Sequence, residues 1–129
     1  MRDAESKAFM ALVLLASSLY IPTRMLENHS WPQRTASFVG EIMDSKCATT
    51  GSHDPIMKQL GAKDARDCTL KCAKDGSFVL YDSDTKTVYQ LNDQQKPMRF
   101  AGQKVRISGS YDQQSQTIEI DSIELVPQA

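Results

Sequence analysis

The residues able to do chemistry lie in one stretch, between Cys47 and Cys72. This stretch contains all three cysteines of the 129-residue chain and one of its two histidines. Thiolate and imidazole groups are the usual ligands of zinc, and thiolates also suit copper(I). Cys47, His53, Cys68 and Cys72 therefore predict a Cys3His site for zinc or copper that leaves no cysteine unused.

The same cysteines also suit a structural disulfide. A bond between Cys47 and Cys68 would stabilise the fold by about 3 kcal/mol, because it restricts the unfolded chain. It would leave Cys72 over, which in an exported protein implies an intermolecular bond or a reactive thiol. A thiol-redox role has less support because the sequence has no Cys-x-x-Cys motif. His53 also has a simpler interpretation, as the cap of the helix that follows it.

The segment that carries these residues has the signals of two short helices. Asp54 and Pro55 predict the N-cap and first residue of a helix that ends at Gly61. A second helix is predicted over 64–76, with Gly76 as its C-terminal cap.

Cys68 and Cys72 would then lie one turn apart on the same face of the second helix. Their Cβ atoms would be about 5 to 6 Å apart. A disulfide requires about 3.5 to 4.5 Å, so this spacing disfavours a bond between them while the helix is intact. Two ligands at this spacing can still reach one metal ion.

Short apolar runs separated by turn residues surround the cysteine segment. Their alternation predicts five strands, with a hairpin between the second and third: 37–44, 77–82, 87–92, 103–111 and 117–126. In the last strand Ile118 and Ile120 share a face, but Ile123 falls out of phase with them. This change of phase predicts a β-bulge near Asp121 or Ser122.

Five short strands with a bulge predict a mainly β fold, a small OB-like barrel with a helical Cys/His insertion between strands 1 and 2. Residues 96–102 predict a helical turn between strands 3 and 4, where an OB barrel carries its helix. A small β-sandwich is the alternative. Tyr81, Tyr89 and Tyr111 either form a binding face or pack within the sheet.

The amino-terminal segment has the plan of a secretory signal peptide. Arg2 and Lys7 precede an apolar run that ends before Pro22, shorter than the roughly 20 residues that span a bilayer. We therefore expect residues 1–21 to be a signal peptide or apolar anchor, 22–35 a linker and 36–129 the OB-like domain. The predicted location is exported, in the periplasm or outside the cell. Membrane contact is expected only through an uncleaved amino-terminal segment.

Composition restricts the function further. The formal net charge of −1 provides no basic surface for a polyphosphate, so nucleic acid is not an expected partner. The sequence also lacks a glycine-rich phosphate loop, a Ser/His/Asp set and paired acid and base carboxylates at a readable spacing. We therefore expect a protein that is not an enzyme.

One arrangement of residues resembles a known family. The segment Gly40-Glu-Ile-Met-Asp44-Ser-Lys-Cys47, followed by His53, Cys68-x-x-x-Cys72 and Phe78-Val-Leu-Tyr81, is similar to short exported bacterial proteins of unknown function. Related exported families with this arrangement resemble bacterial OB-fold proteins, so the resemblance implies the same fold but assigns no role to these residues.

Two functions remain open at the level of sequence. The first is an exported, non-enzymatic OB-like binding module of unknown ligand with a metal site in its insertion. The second is a disulfide-stapled module that binds a protein or envelope partner through the face of the barrel.

Overall fold

The computed structural model describes residues 34–128, which form a five-stranded sheet with three helices inserted after the first strand. The elements in chain order are β1 (Ala36–Asp44), α1 (Ser45–Thr50), α2 (Asp54–Leu60), α3 (Ala65–Cys72), β2 (Phe78–Asp82), β3 (Thr87–Leu91), a 3₁₀ turn (Pro97–Phe100), β4 (Lys104–Asp112) and β5 (Thr117–Leu125). The predicted mainly β class and the helices between strands 1 and 2 are confirmed.

The predicted signal or anchor segment, 1–21, lies outside the described residues, as does most of the predicted linker. Within 34–128, no helix has the length and apolar character needed to cross a bilayer.

The five strands form one mixed sheet that closes on itself in the order β1-β2-β3-β5-β4, with β4 pairing back to β1. All pairs are antiparallel except β3 and β5, which run parallel. Closure leaves no long strand edge to attract another chain. The described strands therefore do not form the two-sheet sandwich that was the alternative.

Strand β1 takes part in two pairings, and Gly40 lies near the point where its partner changes. Its first half pairs with β4 and its second half with β2. A Cβ atom at Gly40 would lie 2.5 Å from the carbonyl oxygen of Tyr81, so the close approach of the two strands requires glycine here.

The predicted bulge lies in β5. Ser108 pairs with Ser122, but the next residue of β4, Gly109, pairs with Ile120, which leaves Asp121 as the extra residue. The bulge brings the β5 backbone close to Gly109, where a Cβ atom would overlap the carbonyl oxygen of Glu119.

Two apolar clusters hold the domain together. The first fills the closed sheet and contains nine buried residues: Ile42, Phe78, Leu80, Leu91, Ala101, Val105, Ile107, Ile118 and Ile120. The second lies between the helices and the outer side of β1 and β2: Met43, Cys47, Ala48, Cys68, Cys72, Val79 and Tyr81. Strand β2 contributes alternate residues to the two clusters, which explains why its sequence is apolar without interruption.

The tyrosines serve packing. Tyr81 is buried in the second cluster. Tyr89 and Tyr111 pack with Phe38 against the first cluster, with ring centroids 5.3 to 5.7 Å apart. The packing interpretation is thus the one that the structure supports for all three.

The helix boundaries differ from the sequence expectation in two places. His53, and not Asp54, occupies the N-cap position of α2, although α2 does end at Gly61 in the left-handed conformation. Helix α3 ends at Cys72 with Ala73 as its C-cap, so the predicted cap at Gly76 is wrong.

Substitution of Gly109 by alanine tests the role of the bulge. The added methyl group would overlap the β5 backbone, so we expect Gly109→Ala to lower the free energy of unfolding by about 1 to 3 kcal/mol. Ser110→Ala, on the other side of the same strand, is the control and should change it by less than about 0.5 kcal/mol. Equal effects in urea denaturation would show that the close approach is not a constraint.

Candidate metal centre

Cys47 is positioned by a short helix that the sequence analysis did not predict. Asp44, the last residue of β1, caps α1 through its Oδ1 atom, which accepts hydrogen bonds from the backbone N–H groups of Lys46 (2.9 Å) and Cys47 (3.0 Å). Aspartate is a favoured N-cap because its carboxylate satisfies these otherwise unpaired donors. The cap turns the first residues of α1 inwards, and Cys47 is fully buried.

Helix α3 positions the other two cysteines. The side chain of Asp64 caps its first turn by accepting from the backbone N–H of Asp67 at 2.8 Å. An ion pair between Asp67 and Lys71, 2.9 Å apart, runs along the exposed side of the helix. Cys68 and Cys72 lie one turn apart on another face of the helix, and both are buried.

His53 is held by a residue of the sheet. Its Nε2 atom lies 2.7 Å from Oε1 of Glu41 in β1, and only 8% of the residue is exposed. Its side chain makes no capping hydrogen bond to α2, so the simpler interpretation of His53 as a helix cap is not supported. With Nε2 donating to the Glu41 carboxylate, Nδ1 of the neutral ring carries the free lone pair.

The four predicted residues lie close together, with Cys47 at the centre. One ring nitrogen of His53 and the Sγ atoms of Cys47 and Cys68 all lie within 4.8 Å of one another. A second group, with the same limit, consists of a carboxylate oxygen of Asp44 and the Sγ atoms of Cys47 and Cys72. The buried cluster has the composition to hold a metal ion, although Cys72 belongs to a different group from His53.

The separation of Cys47 and Cys68 suits a shared ion. Their Sγ atoms are 3.6 Å apart, and all three cysteines are free thiols. Two sulfurs bound at about 2.3 Å to one tetrahedral zinc ion lie roughly 3.8 Å apart. A disulfide would require about 2.05 Å, so the two side chains would have to move together to form one.

Burial affects the protonation of the thiols. It raises the pKa of Cys47 far above that of an ordinary thiol, and the neighbouring Asp44 and Cys68 raise it further. Burial, followed by the charge of Asp44, also raises the pKa of Cys72. In the absence of a cation these two cysteines are therefore protonated at neutral pH and are poor nucleophiles. This argues against a thiol-redox role.

Three buried polar atoms in this part of the fold have no hydrogen-bond partner among the described residues. They are Asp44 Oδ2, His53 Nδ1 and Thr69 Oγ1. Leaving such an atom unpaired costs about 1 to 3 kcal/mol. Asp44 and His53 each belong to one of the two groups around Cys47, so cations bound to these groups would offer partners to both side chains.

Sequence reasoning missed one residue of the site, Glu41. Its contact with His53 joins β1 to the insertion, and no local spacing rule predicts such a pair. Asp44 caps the following helix, and one of its carboxylate oxygens also lies in the cluster.

Comparison with known proteins gives no further assignment. No protein-family model, curated protein or solved structure matches the chain. The interpretation of the site therefore depends on its own geometry.

The pair of Glu41 and His53 predicts a pH dependence in the reduced, metal-free protein. The hydrogen bond and charge of Glu41 raise the pKa of His53 above 6.5, although burial opposes this. A raised folded pKa means that the contribution to stability is fully present below the unfolded value and is lost as pH rises through the folded value. Glu41→Gln should therefore destabilise the protein more below pH 6.5 than at pH values well above the pKa of folded His53.

Urea denaturation at the two pH values checks this expectation. The exposed Glu119 is the control, because Glu119→Gln alters a carboxylate far from any histidine among the described residues. A loss of stability in Glu41→Gln that is the same at both pH values would contradict the ion pair.

Proposed function

We propose that the protein is an exported, non-enzymatic OB-like module that binds zinc or copper(I) through Cys47, His53, Cys68 and Cys72. The observation that carries the proposal is the environment of His53. Its imidazole ring is buried, its Nε2 atom is hydrogen-bonded to the carboxylate of Glu41, and its Nδ1 atom has no partner among the described residues. Carboxylates hold metal-binding histidines in this way, because they fix the orientation of the ring and make the other nitrogen a better ligand.

The ligand chemistry favours a soft or borderline cation. Three thiols and an imidazole suit zinc or copper(I) and are poor ligands for magnesium or calcium. Cys72 would complete the site from the next turn of α3, and it lies in the group that shares Cys47. Glu41 acts as a positioning residue, since its contact with the cluster is through His53.

The strand order supports the OB-like part of the proposal. A five-stranded OB barrel pairs its strands 1-2-3-5-4-1, and the closed sheet has this order. The 3₁₀ turn between β3 and β4 lies where an OB barrel carries its helix. The insertion then occupies the loop between strands 1 and 2, one of the two that OB folds use for binding.

Export is proposed from the sequence of the first 21 residues, with their basic start and short apolar run.

The near-neutral net charge supports a protein or small-ligand partner over nucleic acid. The absence of a readable catalytic set in the sequence supports a binding function over an enzymatic one.

The second candidate is the disulfide-stapled interaction module. It is favoured by the 3.6 Å between the Sγ atoms of Cys47 and Cys68, which a small rotation of the two side chains would convert to bonding distance. An oxidising compartment would promote the bond. The disulfide gives no role to the buried contact between His53 and Glu41, and for this reason we rank it second.

Thiol counting and metal analysis separate the two candidates. In protein purified without chelator, we expect at least one bound zinc or copper ion per chain and three titratable thiols after the metal is removed under denaturing conditions. Cobalt(II) added to the metal-free protein should give the intense visible bands of a tetrahedral thiolate site. His53→Ala should weaken cobalt binding, whereas His29→Ala, a control in the predicted linker, should not.

The disulfide predicts different results. Only one thiol, or none, would titrate before reduction, and His53→Ala would have no effect on the number of bound ions. Oxidised, metal-free protein that keeps its stability after His53→Ala would refute the metal proposal.

Glu41→Gln tests the positioning role separately. Loss of the carboxylate should lower metal affinity by about 10- to 100-fold, because the ring of His53 is no longer oriented or made more basic. Glu119→Gln is again the control and should leave the affinity unchanged in a competition titration with a chromophoric chelator. An unchanged affinity in Glu41→Gln would show that Glu41 is not a positioning residue for the metal site.

A further inference from the structure

The two groups around Cys47 have a composition that one tetrahedral ion does not explain. A Cys3His site accounts for the three cysteines and His53, but it leaves the carboxylate of Asp44 unused. Asp44 is fully buried, and its Oδ2 atom has no partner among the described residues. A carboxylate oxygen of Asp44 belongs to the group that contains Cys47 and Cys72.

We propose that the cluster binds two divalent soft cations, bridged by the thiolate of Cys47. One ion is bound by Cys47, His53 and Cys68, and the other by Asp44, Cys47 and Cys72. This inference rests on the proposed metal-binding function and extends it to the number of ions and their ligands.

Geometry supports the division. In each group the three donor atoms lie within 4.8 Å of one another, and the two groups have only Cys47 in common. Three protein ligands are sufficient for a zinc ion that takes its fourth ligand from elsewhere. Because Asp44 Oδ1 is fixed by the backbone N–H groups of Lys46 and Cys47, its orientation is set before any ion binds.

The charge of the ligands also supports two bound ions. With all three cysteines ionised, the thiolates and the Asp44 carboxylate carry four negative charges, and neutral His53 carries none. One divalent cation would leave two negative charges in a buried site, which is strongly unfavourable. Two divalent cations balance the charge. The nearby Lys46 is exposed to solvent, so its charge is screened.

The charge balance also selects the metal. Two copper(I) ions would neutralise only two of the four negative charges, and carboxylate is a poor ligand for copper(I). Two zinc ions satisfy both the charge and the mixed set of sulfur, nitrogen and oxygen donors. The bridged site is therefore specific for divalent cations of the zinc type.

Cadmium-113 NMR of the full chain tests this proposal, since cadmium replaces zinc at thiolate sites and reports each ion as a separate resonance. We expect two resonances for the native protein, coupled to each other through the sulfur of Cys47. Asp44→Asn and Asp44→Ser should each lose one resonance. Asparagine and serine cap helices as well as aspartate does, so both variants should still form α1.

Two further variants assign the resonances. His53→Ala should abolish or shift the resonance that remains in Asp44→Asn and retain the other one. Asp64→Asn is the matched control, because Asp64 is also an aspartate N-cap but its side chain belongs to neither group around Cys47, and asparagine caps a helix as well as aspartate does. It should keep both resonances.

The outcomes distinguish this inference from the function on which it rests. A single resonance in the native protein, or two that persist in both Asp44 variants, overturns the second ion and leaves a mononuclear metal site. No bound cadmium overturns both proposals. Zinc-to-protein ratios of two for the native chain and one for Asp44→Asn, measured by native mass spectrometry, would support the bridged site independently.

Discussion

Several polar atoms are buried together between the helices and the sheet. Their need for bonding partners is the constraint on which the rest of the insertion depends. Asp44, His53 and the three cysteines are almost completely removed from water, and each unpaired polar atom there costs about 1 to 3 kcal/mol. An apolar cluster of the same volume would avoid that cost. The described residues provide hydrogen-bond partners for Asp44 Oδ1 and His53 Nε2, but not for Asp44 Oδ2 or His53 Nδ1.

Strand β1 connects this cluster to the closed sheet. Ile42 points into the first apolar cluster, whereas Met43 joins the second cluster, under the helices. Glu41 orients His53, and Asp44 ends the strand by starting α1. Strand β1 thus pairs within the sheet and also positions two parts of the site, His53 and helix α1. This explains why three helices of only six to eight residues, too short to be stable alone, hold a defined position.

Sequence patterns predicted the sheet better than the site. Alternation of apolar residues and the change of phase at Asp121 are local signals, and both correspond to what the structure contains. Helix α1 was missed because its six residues have no apolar periodicity. The contact of Glu41 with His53 depends on how the chain folds back over β1, which residue spacing does not encode. The four metal-ligand candidates were found because cysteine and histidine are rare in this chain.

The choice between a metal and a disulfide depends on which of them satisfies the whole cluster. A bond between Cys47 and Cys68 would use two sulfurs and leave Asp44 Oδ2, His53 Nδ1 and the thiol of Cys72 buried without new partners. Cations bound to the two groups around Cys47 would engage the side chains of Asp44, His53 and Cys72, and they would favour the thiolate forms that burial otherwise opposes. Because metal-bound thiolates are occupied as ligands, metal binding at this cluster would also compete with oxidation of its cysteines.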